Sequence, residues 1–324
     1  MKIGVVGVGS MGQNHARVLD QIGYLAGVMD SKKTAAKAAG EKHNVPWFTD
    51  LKGFLETGMD GVTVATPART HVDVCEEMIK EGIPVLVEKP IALSLPKAES
   101  LVKLAEEQNV VLAAGMIERH NPVVSSAKKL LQDGNVGDVI TISSKRVSSF
   151  PTRVADMGVI HDLAIHDVDV MRYLIGEEPE KVFALGGPAN QGKYEDHANM
   201  MLHFPGDITG VLEVNWLTPH KVRKLSLTCS NDFIEIDYIA QSLVLTSSRL
   251  MEYDTSNLFD IPLEHNIRKY TVKRQEPLMK EMEDFVGAVK KKHPPLVTGK
   301  DGLLSMKVVD AARRSMVEGK EVYV

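Results

Sequence analysis

The chain has 324 residues, a formal net charge of −5 and 44% hydrophobic residues, which is typical of a globular protein of roughly two domains. The negative charge argues against a nucleic-acid partner, and no apolar run approaches the roughly 20 residues that a membrane-spanning helix needs. Cys75 and Cys229 lack the spacing of a CxxC motif or a metal site. Two unpaired thiols favour a reducing compartment, so we expect a cytoplasmic protein.

The first 120 residues alternate between strand-like and helix-like patterns. The predicted strands are 2–6, 25–29, 61–65, 84–87 and 110–114, and the predicted helices are about 12–22, 32–43, 50–57, 70–81 and 96–108. Strands and helices in this rhythm form βαβ units around a parallel sheet. Residues 1–120 are therefore predicted to be an α/β Rossmann domain that binds a dinucleotide.

A glycine-rich loop follows the first predicted strand and reads Gly7-Val8-Gly9-Ser10-Met11-Gly12. Glycines at these three positions permit a tight turn, a close approach to a pyrophosphate and close helix packing. Asp30 follows Gly12 by 18 positions and ends the second predicted strand, where its carboxylate would accept hydrogen bonds from a ribose. That charge favours NAD over NADP, although Lys32 and Lys33, which follow Ser31, would soften the preference. The alternative is a simple glycine turn followed by a helix-capping aspartate.

Two further strand ends carry residues that suit a cofactor crevice. Ala65-Thr66-Pro67 ends one strand and is predicted to line the crevice. His71, just beyond it, fits a helix cap, a surface histidine or a cofactor contact.

The other strand end is Glu88-Lys89-Pro90, where a short apolar strand runs straight into a lysine held in extended geometry by the following proline. Lys89 brings a charge and three donors to the edge where open α/β sheets bind ligands. We assign the whole tripeptide to the predicted cofactor site. The alternative is a solvated Lys-Pro turn.

The pattern changes after Asn121-Pro122, so residues 121–324 are predicted to be a second, α+β domain that binds the substrate. It begins with a helix at 122–132, a strand at 136–149 and a helix at about 158–175. Period-two segments joined by short turns follow from 181 to about 246, and helices at about 276–292 and 301–317 close the chain. This pattern predicts a largely antiparallel open sheet. One uncovered face of such a sheet favours a homodimer or homotetramer.

The predicted helix at 158–175 places Asp162, His166, Asp169 and Tyr173 on one face. An imidazole with a carboxylate one turn away is a workable acid/base pair. Two alternatives remain, a solvated polar face and a metal site that includes His161. Because neighbouring helical residues diverge by about 100°, His161 and His166 are poor co-ligands, and we expect no metal.

Five motifs stand in a definite order along the chain: Gly7-x-Gly9-x-x-Gly12, Ala65-Thr66-Pro67 with His71, Glu88-Lys89-Pro90, Arg119-x-Asn121-Pro122 and Asp162-x-x-x-His166. In order and separation they resemble the Gfo/Idh/MocA oxidoreductases, the family of glucose–fructose oxidoreductase and inositol dehydrogenase. The resemblance implies that Lys89 is a catalytic lysine, that His166 accepts a proton and that Asp162 assists it. It also implies a cis peptide between Lys89 and Pro90.

The resemblance further implies NAD-dependent oxidation of a secondary hydroxyl on a sugar, nucleotide-sugar or polyol. The stretches 117–122 and 159–166 are most similar to the branch that oxidises UDP-N-acetylglucosamine at C3. The implied substrate-binding residues are Arg119, Asn121, Arg153, His161, Asp162 and His166. His161 and Ala68-Arg69 depart from the common family pattern.

A nucleotide-sugar needs cations for its diphosphate, and the candidates are Lys145, Arg146, Arg153, Arg119 and Arg223. The alternatives are an inositol or simple-sugar dehydrogenase, a non-catalytic NAD-binding regulator and a metal-dependent enzyme.

Overall fold

The structure of the protein is a computed structural model that describes residues 1–151, 157–190, 192–250 and 263–324. Among these residues, no helix is both long enough and apolar enough to cross a membrane.

The first part of the chain folds as alternating strands and helices. They are β1 (Ile3–Val6), α1 (Ser10–Gln21), β2 (Leu25–Met29), α2 (Lys33–His43), β3 (Trp47–Phe48), α3 (Leu51–Leu55), β4 (Gly61–Val64), α4 (His71–Lys80), β5 (Val85–Glu88), α5 (Leu95–Glu107) and β6 (Leu112–Gly115). All predicted strands and helices of this region are present, with ends shifted by one or two residues. The two-residue strand β3 was not predicted, because two residues are too few to show a period.

These strands form one parallel sheet in the order β3-β2-β1-β4-β5-β6, counted over the described residues. The order reverses between β1 and β4, which is the switch point where such sheets bind dinucleotides. β1 and β4 are buried along their whole length. Continuous burial explains why these strands read as unbroken apolar runs and confirms the predicted Rossmann fold.

The rest of the chain contains the strands of a second sheet and four further α-helices among its described residues. Its elements are α6 (Pro122–Gln132), β7 (Val139–Ser149), α7 (Ile165–Ile175), β8 (Lys181–Gly187), β9 (His197–Phe204), β10 (Ile208–Asn215), β11 (Leu217–Cys229), β12 (Phe233–Asp237), β13 (Ser242–Leu250), β14 (Leu263–Tyr270), α8 (Pro277–Lys291), α9 (Gly299–Glu318) and β15 (Val322–Tyr323). A π-helical turn, Ile160–Ala164, runs directly into α7. The predicted helix at 158–175 is therefore only partly α-helical.

The second sheet has nine described strands in the order β14-β13-β12-β11-β7-β10-β9-β8-β15. Every described pair is antiparallel except β10 with β7, which confirms the largely antiparallel sheet. Along β9 every second residue is buried, as expected of a sheet with one covered face.

The described residues divide into two compact units, one of Met1–His120 with Gln275–Lys307 and the other of Asn121–Arg274 with Val308–Val324. The division after His120 falls where the first predicted domain ends. Gln275–Lys307 lies in the first unit, although the sequence analysis assigned it to the second domain. The reason is hydrophobic burial, because Met282 and Phe285 of α8 join the core cluster of the parallel sheet.

Candidate active site

A side chain at each of the three glycines in the loop after β1 would meet different surroundings. Gly7 has φ +86°, and a Cβ there would lie 2.8 Å from the carbonyl carbon of Ala65. A Cβ on Gly12 would lie 1.8 Å from the Gly7 oxygen, so only glycine lets α1 approach the loop. A Cβ on Gly9, by contrast, would have no heavy atom within 4 Å. The open space beside the exposed Gly9, at the N-terminus of α1, fits a pyrophosphate.

Asp30 lies at the end of β2 and is held against the glycine loop. Its Oδ2 accepts a hydrogen bond from the Val8 N–H at 2.9 Å, and its Oδ1 accepts one from the Lys32 N–H at 2.9 Å. A carboxylate has about four acceptor positions, so two remain for ribose hydroxyls. Ser10 and Ser31 are exposed near this loop end, while Val8 is buried and Met11 is half-buried.

His71 connects two of the predicted cofactor loops. Its Nδ1 lies 2.8 Å from the Pro90 carbonyl oxygen and its Nε2 lies 2.8 Å from the Thr66 carbonyl oxygen. Carbonyl oxygens only accept, so a ring nitrogen that carries a proton donates to the carbonyl beside it. His71 is buried, with both nitrogens occupied. His71 therefore positions the Thr66 and Pro90 backbones. This placement does not favour a direct contact with the cofactor, which was one of its predicted roles.

The turn that carries Lys89 follows β5, at the same sheet edge as the glycine loop, Asp30 and the Ala65-Thr66-Pro67 turn. The peptide between Lys89 and Pro90 is cis, as the resemblance implied. Lys89 is half-buried.

The Glu88 carboxylate turns inward, where it accepts a hydrogen bond from His15 Nε2 at 2.9 Å and another from the Lys89 N–H at 3.2 Å. Burial alone would raise the pKa of Glu88, but the His15 hydrogen bond and the nearby charges of His15, Lys89 and His71 lower it below its ordinary value. Glu88 thus supports the turn from below, and its carboxylate is not available as a cofactor contact.

In the second unit, the predicted acid/base residues lie where a π-helical turn meets an α-helix. The Ile165 N–H bonds to the Ile160 carbonyl, five residues earlier, so the uninterrupted α-helix predicted across this segment is wrong. His161, Asp162 and His166 are all half-buried. Four residues still make about one turn, which keeps Asp162 and His166 near one face. π-Turns of this kind are frequent at functional sites.

Two contacts that the sequence analysis missed hold this helical segment. The Glu195 carboxylate accepts a hydrogen bond from the Ile160 N–H at 3.3 Å. It also lies so close to Gly158 that a Cβ there would be 2.1 Å from its carboxyl carbon. Gly158 is therefore required for this contact, and a glycine immediately before the helix was the available sequence signal.

The second contact is a buried ion pair beside His166. Arg146 Nε lies 2.5 Å from Asp167 Oδ2, and its Nη2 lies 3.2 Å from Oδ1. Arg146 also lies 5.2 Å from the centre of the Tyr238 ring. A bidentate pair of this kind fixes α7 on β7, and with it the position of the neighbouring His166.

Arg119 and Asn121, which were predicted to bind substrate, have structural partners. Arg119 is 4% exposed, lies 3.1 Å from Asp301 Oδ1 and donates to the Leu296 carbonyl at 3.2 Å. Asn121 is 2% exposed, caps α6 through the Val123 N–H and donates to the Tyr238 carbonyl. These placements favour structural roles for both residues. Arg153 lies outside the described residues.

The remaining predicted cations also differ in their surroundings. Arg146 is buried in its pair with Asp167, and Lys145 pairs with Glu213 of the neighbouring strand at 2.9 Å. Arg223 is half-buried on β11. Asp169, predicted to share the helix face with His166, is fully buried 3.7 Å from Arg172 and so does not belong to a solvated face.

Three family models match the chain along nearly its whole length. Residues 1–116 match the NAD-binding Rossmann fold of the Gfo/Idh/MocA oxidoreductase family. Residues 124–235 match a Gfo/Idh/MocA C-terminal domain, and residues 243–324 match the C-terminal alpha/beta domain of the same oxidoreductase family.

Several curated proteins are similar to the chain. UDP-N-acetylglucosamine 3-dehydrogenase of Acidithiobacillus ferrooxidans is 28% identical over 96% of this chain and 95% of that protein. Inositol 2-dehydrogenase of Rhizobium meliloti is 25% identical over 100% of this chain and 99% of that protein. Myo-inositol dehydrogenase Hyg17 of Streptomyces leeuwenhoekii is 30% identical over 68% of this chain and 71% of that protein.

Solved structures share the fold. UDP-N-acetylglucosamine 3-dehydrogenase from Acidithiobacillus ferrooxidans superposes with a TM-score of 0.86 at 26% identity, over 97% of each chain. A levoglucosan dehydrogenase in complex with NADH superposes with a TM-score of 0.86 at 18% identity, over 100% of this chain and 99% of that one. At 18% identity, the similarity to the levoglucosan dehydrogenase supports a shared fold only.

Proposed function

This chain belongs to the Gfo/Idh/MocA oxidoreductase family, and from that premise we propose that it oxidises the C3 hydroxyl of UDP-N-acetylglucosamine with NAD. The proposed identity of the substrate is supported by the similarity to a UDP-N-acetylglucosamine 3-dehydrogenase, which extends in sequence and in fold over nearly the whole of both proteins. When bound, NAD supplies the acceptor for the hydride that leaves the substrate carbon.

The first unit holds the cofactor. We assign the pyrophosphate to the open space beside Gly9 at the start of α1, where backbone N–H groups and the helix N-terminus favour negative charge. Asp30 keeps two acceptor positions for the ribose and repels a 2′-phosphate, which favours NAD over NADP. Ala65, Thr66 and Pro67 line the crevice beside the glycine loop.

The chemistry is divided between a proton acceptor and a hydrogen-bond donor. His166 takes the proton of the substrate hydroxyl as hydride leaves the same carbon, and Asp162 supports the imidazolium that forms. Lys89 donates a hydrogen bond to the hydroxyl oxygen and stabilises the negative charge that develops on it. The alcohol loses one proton and one hydride and becomes a ketone.

Substrate recognition requires cations for the diphosphate and polar groups for the sugar. Arg146 and Arg119 are buried in pairs with Asp167 and Asp301, so the candidates that we retain for the diphosphate are Lys145, Arg153 and Arg223. His161, half-buried on the π-helical turn, is the proposed sugar contact on that segment.

The second candidate function is an inositol or simple-sugar dehydrogenase, because two inositol dehydrogenases are also similar to the chain. The deciding experiment offers UDP-N-acetylglucosamine, other UDP-sugars, inositols and free hexoses with NAD and follows absorbance of the reduced cofactor. We expect the highest kcat/KM with UDP-N-acetylglucosamine. A higher kcat/KM with an inositol or a free hexose than with every UDP-sugar would reject the proposed substrate.

The exposed face of the second sheet supports a proposed homodimer or homotetramer. Met201 of β9 pairs with Val211 of β10, and both side chains point outward, as does Leu185 of β8. Exposed apolar side chains on one sheet face favour burial against a second copy. Light scattering coupled to size-exclusion chromatography measures the mass, and a monomer at micromolar concentration would reject this assembly.

A further inference from the structure

A buried cluster of three titratable side chains lies beneath the turn that carries Lys89. It consists of His15 on α1, Glu88 at the end of β5 and Glu281 on α8, and one nitrogen or oxygen atom from each lies within 4.8 Å of the others. Glu281 is 1% exposed, and neither of its carboxyl oxygens has a hydrogen-bond partner in the described structure. A buried carboxyl group without partners is costly in its charged form.

The cluster belongs entirely to the first unit, although Glu281 is far from the other two residues in sequence. α8 packs against α1 and against the 3₁₀ turn Ile117–His120. These elements carry several titratable and charged groups: His15 and Arg17 on α1, Glu88 and Lys89 at the end of β5, Glu118, Arg119 and His120 in the 3₁₀ turn, and Asp284 on α8 itself. Among them, the charges of Glu88 and Asp284 act on Glu281, and His15 and Glu88 share its cluster.

The cations among these groups have other partners. His15 donates to Glu88, Arg17 pairs with Glu276, and Arg119 pairs with Asp301. Burial, with the Arg119 charge, lowers the pKa of His120 to about 4, so it is neutral at physiological pH. Since neither carboxyl oxygen of Glu281 has a hydrogen-bond partner among the described residues, no cation of this set, Lys89 included, is bonded to it.

The two carboxyl groups of the cluster are in opposite situations. Glu88 accepts hydrogen bonds from His15 and from the Lys89 N–H, which stabilise its anion. Burial raises the pKa of Glu281 well above its ordinary value, and the charges of Glu88 and Asp284 raise it further. Two neighbouring carboxyls whose environments separate their pKa values hold one proton between them.

We propose that Glu281 is a positioning residue that carries a proton in the folded protein and keeps Glu88 as the single anion beneath the Lys89 turn. Ionised Glu281 would place a second negative charge within 4.8 Å of the cluster atoms and weaken the hold of Glu88 on the Lys89 backbone. The inference rests on the proposed role of Lys89 in the chemistry.

The test compares thermal unfolding of the wild type, Glu281→Gln and Glu283→Gln from about pH 5 to about pH 9. Because the folded-state pKa of Glu281 is raised, its proton stabilises the fold below the unfolded pKa, and that stability is lost as pH rises towards the folded pKa. Glutamine resembles the protonated acid but does not ionise, so this variant loses no stability at that position as pH rises. The Tm of Glu281→Gln minus that of the wild type should therefore grow with pH, whereas the exposed control Glu283→Gln should show a constant difference. A constant difference for Glu281→Gln would overturn the proposal.

Turnover provides a second readout. Glu281→Gln, which is neutral at every pH, should match the wild-type kcat at about pH 6, and its kcat relative to the wild type should rise with pH because only the wild type gains a second anion beneath the Lys89 turn. A ratio of the two kcat values that stays constant from about pH 6 to about pH 9 would contradict a positioning role. The unfolding experiment needs no substrate, so it fails or succeeds independently of the proposed function.

The same three side-chain types also suit a divalent cation. Elemental analysis of the purified protein distinguishes this occupant from a proton. We expect no stoichiometric metal. A metal present at one equivalent and lost in Glu281→Gln would overturn the proton-holding role.

Discussion

Lys89 and His166 are held in place in different ways. Lys89 follows a strand that is buried from Val85 to Val87, and its turn is held by the contact of His71 with the Pro90 carbonyl and by the hydrogen bond from the Lys89 N–H to Glu88. His166 lies on a helical segment whose path is set by its own π-helical turn and by the ion pair of its neighbour Asp167. The comparison indicates that tertiary contacts hold both residues, His71 at the Lys89 turn and Arg146 at the helix of His166, whereas only His166 also depends on a local change in helical winding.

The largest expected effect concerns the helical residue. His166→Ala should lower kcat by about 10²–10⁴, because no other group takes the hydroxyl proton with the same efficiency. NAD binding, followed by quenching of protein fluorescence, should be unchanged. The matched control is His293→Ala, an exposed histidine of the first unit. A kcat close to the wild-type value in His166→Ala would assign the proton transfer to another residue.

Arg119 tests the difference between structural and substrate-binding roles. Arg119→Ala leaves Asp301 without its ion-pair partner, so the free energy of unfolding should fall by roughly 3 kcal/mol. The KM for the sugar substrate should not change. Chemical denaturation and steady-state kinetics measure the two quantities, with the exposed Arg313→Ala as control. A tenfold higher KM at unchanged stability would restore the predicted substrate-binding role.

The substitution Gly9→Ala should have a smaller effect, and only on the affinity for the cofactor. Since a Cβ at Gly9 meets no protein atom within 4 Å, Gly9→Ala should leave Tm unchanged while the methyl group obstructs the pyrophosphate. We expect the Kd for NAD, measured by calorimetry, to rise about tenfold, which is 1.4 kcal/mol. Gly287→Ala, also in open space but on α8, is the control. Unchanged NAD affinity would place the pyrophosphate elsewhere.

The sequence was informative where a single short motif specifies a backbone conformation. The glycine loop and Asp30 are local features that were predicted from neighbouring residues, whereas the cis Lys89–Pro90 peptide was implied by the family resemblance. NAD as cofactor followed from the glycine loop and Asp30, and the fold class, a Rossmann fold followed by an α+β part with a largely antiparallel sheet, followed from the strand periodicity.

The features that sequence analysis missed depend on tertiary packing. Nothing near Glu281 in the sequence indicates that α8 packs in the first unit beside His15 and Glu88. The family resemblance implied that Arg119 binds substrate, and nothing in the sequence near Arg119 indicates its ion pair with Asp301 at the start of α9. The π-helical turn at Ile160–Ala164 leaves the apolar spacing of a helix almost intact, so periodicity does not reveal it.

The central claim is that Lys89 stabilises charge on the reacting oxygen of an NAD-dependent dehydrogenase. The most direct measurement is kcat for UDP-N-acetylglucosamine oxidation by Lys89→Ala at saturating NAD, together with the Kd for NAD of the same variant. We predict a loss of about 10²–10³ in kcat with an unchanged Kd. Wild-type kcat in Lys89→Ala would contradict the mechanism.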